Sequence, residues 1–363
     1  MQGDRSKVLT DPSTTSHQAV DGINVTTESS NVRDKKVITL RNLLQADPQA
    51  ADVKFSLFVA ACQSYRYDSC LKPFPPQFIR DGVKDIDALR EVVDRIPALV
   101  LLLKQYLCDA NTCQANPQVI DLLYWVLVQL KDICVKSVPR CEFDKIMEYV
   151  RCETAAPAPN LIFQLVGNPR GTSEMRWQEV SGGHKTLYAF HGSRLDNFHS
   201  ILHYGLQQHL NKNSLFGHGI YLSSELSVSL PYSPMGYGWG RSNVGSEMSC
   251  VALCEVVNHP DVKCQDKESD KSRSIATDSI GGEVPKKYYV ALNSDLVKVR
   301  YLLVYSKQSQ WDDSIVSTSW LGWVRRHKLV IFILSYVVLL ISVGLSNNHL
   351  VDNDREHFVR YTQ

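Results

Sequence analysis

Cysteine pairs, charge of one sign and an apolar N-terminus are all missing from this chain. None of its ten cysteines forms a CxxC pair, which excludes a disulfide scaffold and a structural zinc site and fits a reducing compartment. Basic residues number 39 and acidic residues 38, leaving a net charge of +1. Without a polybasic field, nucleic acid is not expected as a specific partner. The first 36 residues are polar and lack the apolar run of about 7 to 15 residues that a secretory signal needs. The Asn24-Val25-Thr26 triplet therefore has no expected route to glycosylation. No internal repeat is visible, and the helical half carries no Walker motif, zinc ligands or basic stripe.

Long apolar runs are equally scarce, with one exception near the end. Leu329 to Asn348 holds 20 residues without a charge, and at about 1.5 Å per helical residue it spans roughly 30 Å, the thickness of bilayer hydrocarbon. A buried core helix of that length would ordinarily show a polar face. Trp320, Trp323, Arg325, Arg326 and Lys328 form an aromatic and cationic collar on the preceding side. A single transmembrane helix is expected over residues 329–348, after a juxtamembrane linker over 311–328 and before a short luminal tail over 349–363. Its late position and its collar describe a tail anchor with a cytosolic N-terminal body. Asp352, Asp354 and Glu356 offset Arg355 and Arg360, so the strongly cationic tail that favours mitochondria is missing. The span suits the thinner endoplasmic reticulum bilayer, about 27 Å.

A chain of 363 residues has room for about two domains. Leu89, Val92, Val93, Ile96, Val100 and Leu103 make one helical stripe, and Val119, Leu122, Leu123, Val126 and Leu130 another. Pro97 makes the first stripe a kinked helix or two helices, whereas Pro117 opens the second behind Asn116 as cap. Residues 155–160 read as a stiff linker. Strand-like runs follow at 161–166, 187–190, 249–257, 287–292 and 297–305, and the Lys-, Asp- and Ser-rich stretch 266–282 reads as a solvated insertion. The expectation is an α+β protein: a disordered polar tail over 1–36, an α-helical domain over 37–153 and a β-rich domain over 154–310.

Three patterns in the second half have ordinary readings. His199 and His203 have metal-ligand spacing, but the HExxH glutamate is replaced by Ser200, so a half-buried helix face is expected. Cys250 and Cys254 share a strand face with Ala252 and Val256 and read as small buried residues. Gly236, Gly238 and Gly240 do not meet GxGxxG and read as a flexible loop.

Other residues make poor sense as core. Phe190-His191-Gly192-Ser193 follows an apolar strand, so His191 projects near a strand end and Gly192 admits close approach to the backbone. Gly217-His218-Gly219-Ile220-Tyr221 repeats the device, and Ser229 and Tyr232 stand three apart on a short helix. The rival reading is a tyrosine-rich core with incidental glycines.

HGSRLDNFHSILHYGL, LFGHGIYLSSELSVSLPYS and YYVALNSDLVKVRYLLVY, in that order, closely resemble the catalytic core of the PARP family of diphtheria-toxin-like ADP-ribosyltransferases. The resemblance covers roughly the second half of the chain. It implies NAD+ as co-substrate and no metal. His191 matches the histidine of the family's His-Tyr-Glu triad, which hydrogen-bonds the adenosine-side ribose. Gly192 matches the residue whose backbone holds the nicotinamide carboxamide, assisted by Ser229. Tyr221 and Tyr232 match the rings on either face of the nicotinamide, and Ser193 lies beside the adenosine ribose. A flat cation between two aromatic faces is physically apt.

Counting back without a gap from Tyr301-Leu302-Leu303, the third triad position falls on Tyr288, where polymerising members have glutamate. A phenol with a pKa near 10 cannot orient and deprotonate an acceptor hydroxyl as a carboxylate does. The resemblance therefore implies a mono-ADP-ribosyltransferase. The short Pro-rich linker over 155–160 keeps the two halves close, so the helical half is expected to dock on the transferase domain and to influence NAD+ access or acceptor choice. Expected acceptors are membrane proteins of the endoplasmic reticulum and the enzyme itself, at the reticulum and nuclear envelope, in a setting that includes protein-folding stress. The rivals are a catalytically silent NAD+-binding membrane scaffold and a structural anchor with a vestigial pocket; the surviving His191, Tyr221, Ser229 and Tyr232 set speaks against the last.

Overall fold

The computed structural model describes residues 21–105, 116–131, 133–210, 215–265 and 273–307. The expected transmembrane span, its juxtamembrane linker and its luminal tail lie outside these. Among the described residues no helix is long and apolar enough to cross a membrane. All of them fall within one compact unit, Met1–Ser309.

The helices that begin at Pro48, Ile86 and Pro117 start where the sequence supplies a capping side chain. After α1 (Asp21–Ala46), the Asp47 side chain accepts from Ala50 N at 3.0 Å and Pro48 opens α2 (Pro48–Gln63). α3 (Tyr67–Cys70) and a small hairpin, β1 (Ile79–Arg80) with β2 (Val83–Lys84), lead to α4 (Ile86–Arg95), capped by Asp85. α5 (Leu99–Gln105) follows, then α6 (Pro117–Tyr124), capped by Asn116 and continued by a π-helical turn over Trp125–Gln129. Next come β3 (Ile133–Ser137), α7 (Phe143–Met147), β4 (Leu161–Gly167), α8 (Thr172–Ser181), β5 (Thr186–Gly192) and α9 (Phe198–Tyr204). The chain continues through β6 (Ile220–Ser223), α10 (Leu226–Ser229), β7 (Gly236–Tyr237), β8 (Glu247–Val257), β9 (Val262–Lys263), β10 (Tyr288–Ala291) and β11 (Val297–Ser306).

Nine strands make one antiparallel sheet in the order β3-β4-β11-β8-β5-β6-β10-β9, with β7 also on β8. Cys250, Ala252, Cys254 and Val256 of β8 bury on one face, and Val251 and Leu253 on the other, the alternation that pleating imposes.

Helix α2 joins the two halves. It is buried from Ala50 to Cys62 on all sides, with Asp52, Lys54 and Ser56 enclosed among its apolar residues. Phe55, Phe58, Val59 and Cys62 pack into the helical core, while Val53, Leu57 and Ala60 pack into the core beneath the sheet. The buried Asp52 accepts from Asn243 N at 3.0 Å and from the Ser242 hydroxyl. Asp196, just after β5, takes both Arg66 Nη2 at 3.0 Å and the Ser64 hydroxyl at 2.8 Å.

Several expectations change. Helix α1 begins at Asp21, inside the tail expected to be disordered to residue 36, and its Val37, Leu40 and Leu44 dock on the helical core. Strand β3 lies in the stretch expected to be helical and pairs with β4. Pro97 separates two helices, which rephases the stripe: α5 buries Leu99 and Leu102, and Val100 and Leu103 are only half-buried. The loop expected to be flexible holds Trp239, 3% exposed, edge-on to Phe55 at 4.8 Å, while Arg241 donates to Asp94 O and Ile96 O at the end of α4. Within 266–282, the described part 273–282 packs instead of standing free: Ile280 N and Gly281 N donate to Leu215 O.

His199 and His203 sit on the α9 face against α2. His199 Nε2 donates to Pro73 O at 3.1 Å, and among the described residues neither ring nitrogen of His203 has a partner. Burial lowers both pKa values, to about 4 and about 2, with Lys54 adding repulsion. A histidine that titrates near 6.5 when unfolded and near 4 when folded gives its full stability above 6.5 and loses it as pH falls, on the order of 3 kcal/mol for His199 by pH 4. Stability measured from pH 7.5 to 4.5 is expected to fall, and His203→Leu to flatten that fall while raising Tm at pH 7; an unchanged acid slope in the variant contradicts this account.

Candidate active site

Four short segments meet at the end of β5. Strand β5 delivers His191 and Gly192 side by side, flanked by β8, where Gly192 lies opposite Val251. Phe190 pairs with Ser223 of β6, which brings Tyr221 alongside. Tyr288 on β10 lies opposite Ser223, and Val290 opposite Tyr221. Directly paired antiparallel residues share a face, so Tyr221 and Tyr288 stand diagonally on the same face.

His191 Nδ1 lies 2.8 Å from the carbonyl oxygen of Tyr221. A carbonyl only accepts, so Nδ1 carries the proton and Nε2 of the neutral ring is left with a lone pair. Burial lowers the His191 pKa by more than this bond raises it, which keeps the ring neutral at pH 7. The Tyr221 hydroxyl accepts from Phe216 N and donates to Gly217 O, both at 2.9 Å. Gly217 holds φ at +100°, a conformation that lets its carbonyl turn back to that hydroxyl. Tyr221 thus spends its oxygen locally and offers its ring face. Its pKa and that of Tyr288 are raised chiefly by burial, and the nearby Tyr232 phenol adds to the shift on Tyr288.

Gly192 has no room for a side chain. A Cβ there would stand 2.1 Å from the Ser229 carbonyl oxygen and 2.8 Å from Tyr232 Cβ. Ser229, 4% exposed, donates to Phe190 O at 3.2 Å, while Tyr232 is 57% exposed. The single helical face expected for the pair is therefore split by depth. The helix tightens from α10 into a 3-10 turn at Leu230–Tyr232, so both residues meet Gly192, Ser229 from within and Tyr232 at the rim. Ser193 N donates to the Ser233 hydroxyl at 3.0 Å, and the Ser193 hydroxyl accepts from Asn197 Nδ2 at 2.9 Å.

The geometry also recruits residues that local pattern does not flag. Asp278 accepts from His218 N at 2.8 Å, securing the loop before β6. That bond, outweighing burial, lowers its pKa. Glu225 follows β6 and is 2% exposed. No spacing rule marks either, because each acts through contacts with residues distant in sequence. A neutral histidine with a free Nε2, a ring clamped by its hydroxyl and a second, exposed ring make a place for a flat aromatic cation beside a hydroxylated sugar.

The ARTD15 N-terminal domain pattern matches residues 42–127, and the poly(ADP-ribose) polymerase catalytic domain pattern matches residues 140–307. The protein mono-ADP-ribosyltransferase PARP16 of Mus musculus is 43% identical over 314 residues, 85% of this chain and 94% of that protein. The Homo sapiens PARP16 is 41% identical over 308 residues, 83% of this chain and 92% of its own length. The mouse protein mono-ADP-ribosyltransferase PARP8 is 25% identical over 74% of this chain but only 33% of its own. With such identity extending over nearly the full length of two relatives, and the catalytic-domain match spanning every residue of the site, the chain belongs to the poly(ADP-ribose) polymerase family of ADP-ribosyltransferases.

Proposed function

We propose that this protein transfers single ADP-ribose units from NAD+ to protein side chains, its own among them, and that it does so at the cytosolic face of the endoplasmic reticulum and nuclear envelope. The observation that carries the single-unit reading is Tyr288, a phenol on the strand beside Tyr221 with its pKa raised by burial. At neutral pH it holds its proton, so it offers no carboxylate-like acceptor for a hydroxyl of an already attached ADP-ribose. The relatives that match most of the chain bear the name protein mono-ADP-ribosyltransferase.

In this reading the lone pair of His191 Nε2 accepts from a ribose hydroxyl of NAD+, and the faces of Tyr221 and Tyr232 hold the nicotinamide. The bond between nicotinamide and ribose loosens as positive charge spreads onto the sugar. Nicotinamide takes the bonding electrons and departs neutral, and an acceptor side chain then bonds to the anomeric carbon. Positioning and electrostatics supply the acceleration. Ser229 and the Gly192 backbone fix the carboxamide, and Ser193 stands at the adenosine ribose. Acceptors are cytosolic parts of membrane proteins, a setting suited to folding-stress signalling.

Purified full-length chain in detergent, incubated with NAD+ labelled in the adenylate, is expected to acquire one mass increment of ADP-ribose per modified site. Chain ladders would overturn the single-unit reading. NAD+ binding with no label transferred would favour the silent scaffold. The placement rests on the uncharged run over residues 329–348 and its preceding collar. Protease treatment of intact microsomes is expected to spare only the segment after Asn348, and an N-terminal epitope that survives would reverse the orientation.

A further inference from the structure

Glu225 is a buried carboxylate that the proposed reaction does not use. Its two oxygens accept from Glu153 N at 2.8 Å, from Thr154 N at 3.0 Å and from the Thr154 hydroxyl, with Lys287 Nζ 3.6 Å away. Burial would raise its pKa, but these donors outweigh it and hold the group at about 2. A carboxylate this well supplied with donors stays charged at every working pH, and it ties together segments far apart in sequence.

Two of those segments lead to the site. Glu225 N donates to the Ser223 hydroxyl at 3.0 Å, and that hydroxyl donates to Lys287 O at 2.7 Å, the residue before Tyr288. Ser224 N donates to the same carbonyl at 3.1 Å. Val228 N donates to Glu225 O at 3.2 Å, so Glu225 begins the turn that ends at Ser229. The Ser229 carbonyl and Tyr232 Cβ are the atoms packed against Gly192. On the other side of the carboxylate, Glu153 and Thr154 open the stretch that leads into β4. The charge therefore holds the turn bearing Ser229 and Tyr232 and the start of the strand bearing Tyr288 from behind.

We propose that Glu225 is the positioning residue of the NAD+ site, its carboxylate pinning the Ser223–Tyr232 turn and the Lys287–Tyr288 strand start to the Glu153–Thr154 segment so that the walls of the nicotinamide pocket are preformed. The inference rests on the NAD+ site proposed above. It assigns Glu225 no contact with NAD+, because the side chain is buried and enclosed by donors from the protein.

The test uses the full chain with Glu225→Gln, Glu225→Asp and Thr154→Val. Glutamine keeps the shape but turns an amide toward N–H donors, and its KM for NAD+ is expected to rise about tenfold while kcat changes less than about threefold. Aspartate, which restores the charge, is expected to recover most of that loss, and Thr154→Val, which removes one donor, to raise KM about two- to threefold. Hydrogen exchange of free protein reads the same effect without catalysis: amides over residues 223–232 are expected to exchange faster in Glu225→Gln while those of α4 do not change. Unchanged exchange over 223–232, or a lowered Tm with wild-type KM, overturns the assignment. Should Glu225→Gln fail to fold, Thr154→Val decides by the same two readouts. If wild-type protein transfers no label, the transferase reading falls, and the exchange arm alone still decides whether Glu225 orders the turn.

Discussion

His191→Ala and Tyr221→Ala are each expected to lower automodification by at least about 100-fold, since each removes a group placed to meet NAD+ and preorganised contacts of this kind carry most of the acceleration. The His191 variant loses the free Nε2 and the Nδ1 bond to Tyr221 O. The Tyr221 variant loses a ring wall and the hydroxyl that holds Phe216 N and Gly217 O. Tyr221→Phe separates the two: it keeps the wall, releases the loop and is expected to fall between wild type and alanine. Label transfer measured beside thermal melting distinguishes lost contacts from lost fold. Wild-type labelling by either alanine variant would refute the pocket assignment.

A fragment beginning at Ala155 is expected not to fold, because the helical half supplies part of the transferase core. Deletion of α2 strips Val53, Leu57 and Ala60 from beneath the sheet. Losing buried aliphatic side chains costs about 2–5 kcal/mol for each Leu or Ile cut to Ala, against a total stability of about 5–15 kcal/mol for a typical domain. The sheet would also lose β3 from its edge, and Asp196 would lose Arg66 and Ser64. The expected product is insoluble or lacks a cooperative melting transition in calorimetry. A soluble fragment that melts cooperatively near the full-length Tm, with unchanged activity, would show the helical half to be a dispensable attachment.

Part of the candidate site stands out in the sequence because its residues are chemically costly unless used. A histidine and a glycine at a strand end, a tyrosine behind a Gly-x-Gly pair and a serine and tyrosine at fixed distances single out His191, Gly192, Tyr221, Ser229 and Tyr232 by local pattern, whereas Tyr288 is singled out only by the family resemblance. The strand-like runs over 161–166 and 249–257 were equally plain, since β-branched and apolar runs between turn residues leave few alternatives, and the strands extend them only to Gly167 and back to Glu247. The helix cap at Asn116 likewise acts over two residues.

What the tertiary structure alone decided is where distant segments share their contacts. Nothing local in Pro48–Gln63 tells that one side serves the helical core and the other the sheet, because burial on all sides erases the periodicity that would assign a face. Trp239 looks like part of a glycine-rich loop until Phe55 supplies its pocket. The stripe through Val100 and Leu103 failed at Pro97, where a break of a few residues rotates the next helix and no periodicity survives it. Glu225 and Asp278 owe their roles to Thr154 and His218, 71 and 60 residues away along the chain. Local composition marked the main strands, the cap at Asn116 and the candidate pocket residues, since propensity, capping and residue identity act within a few residues, but it did not mark α1 or β3. The partner of each buried charge depends on chain closure, and only the folded arrangement supplies it.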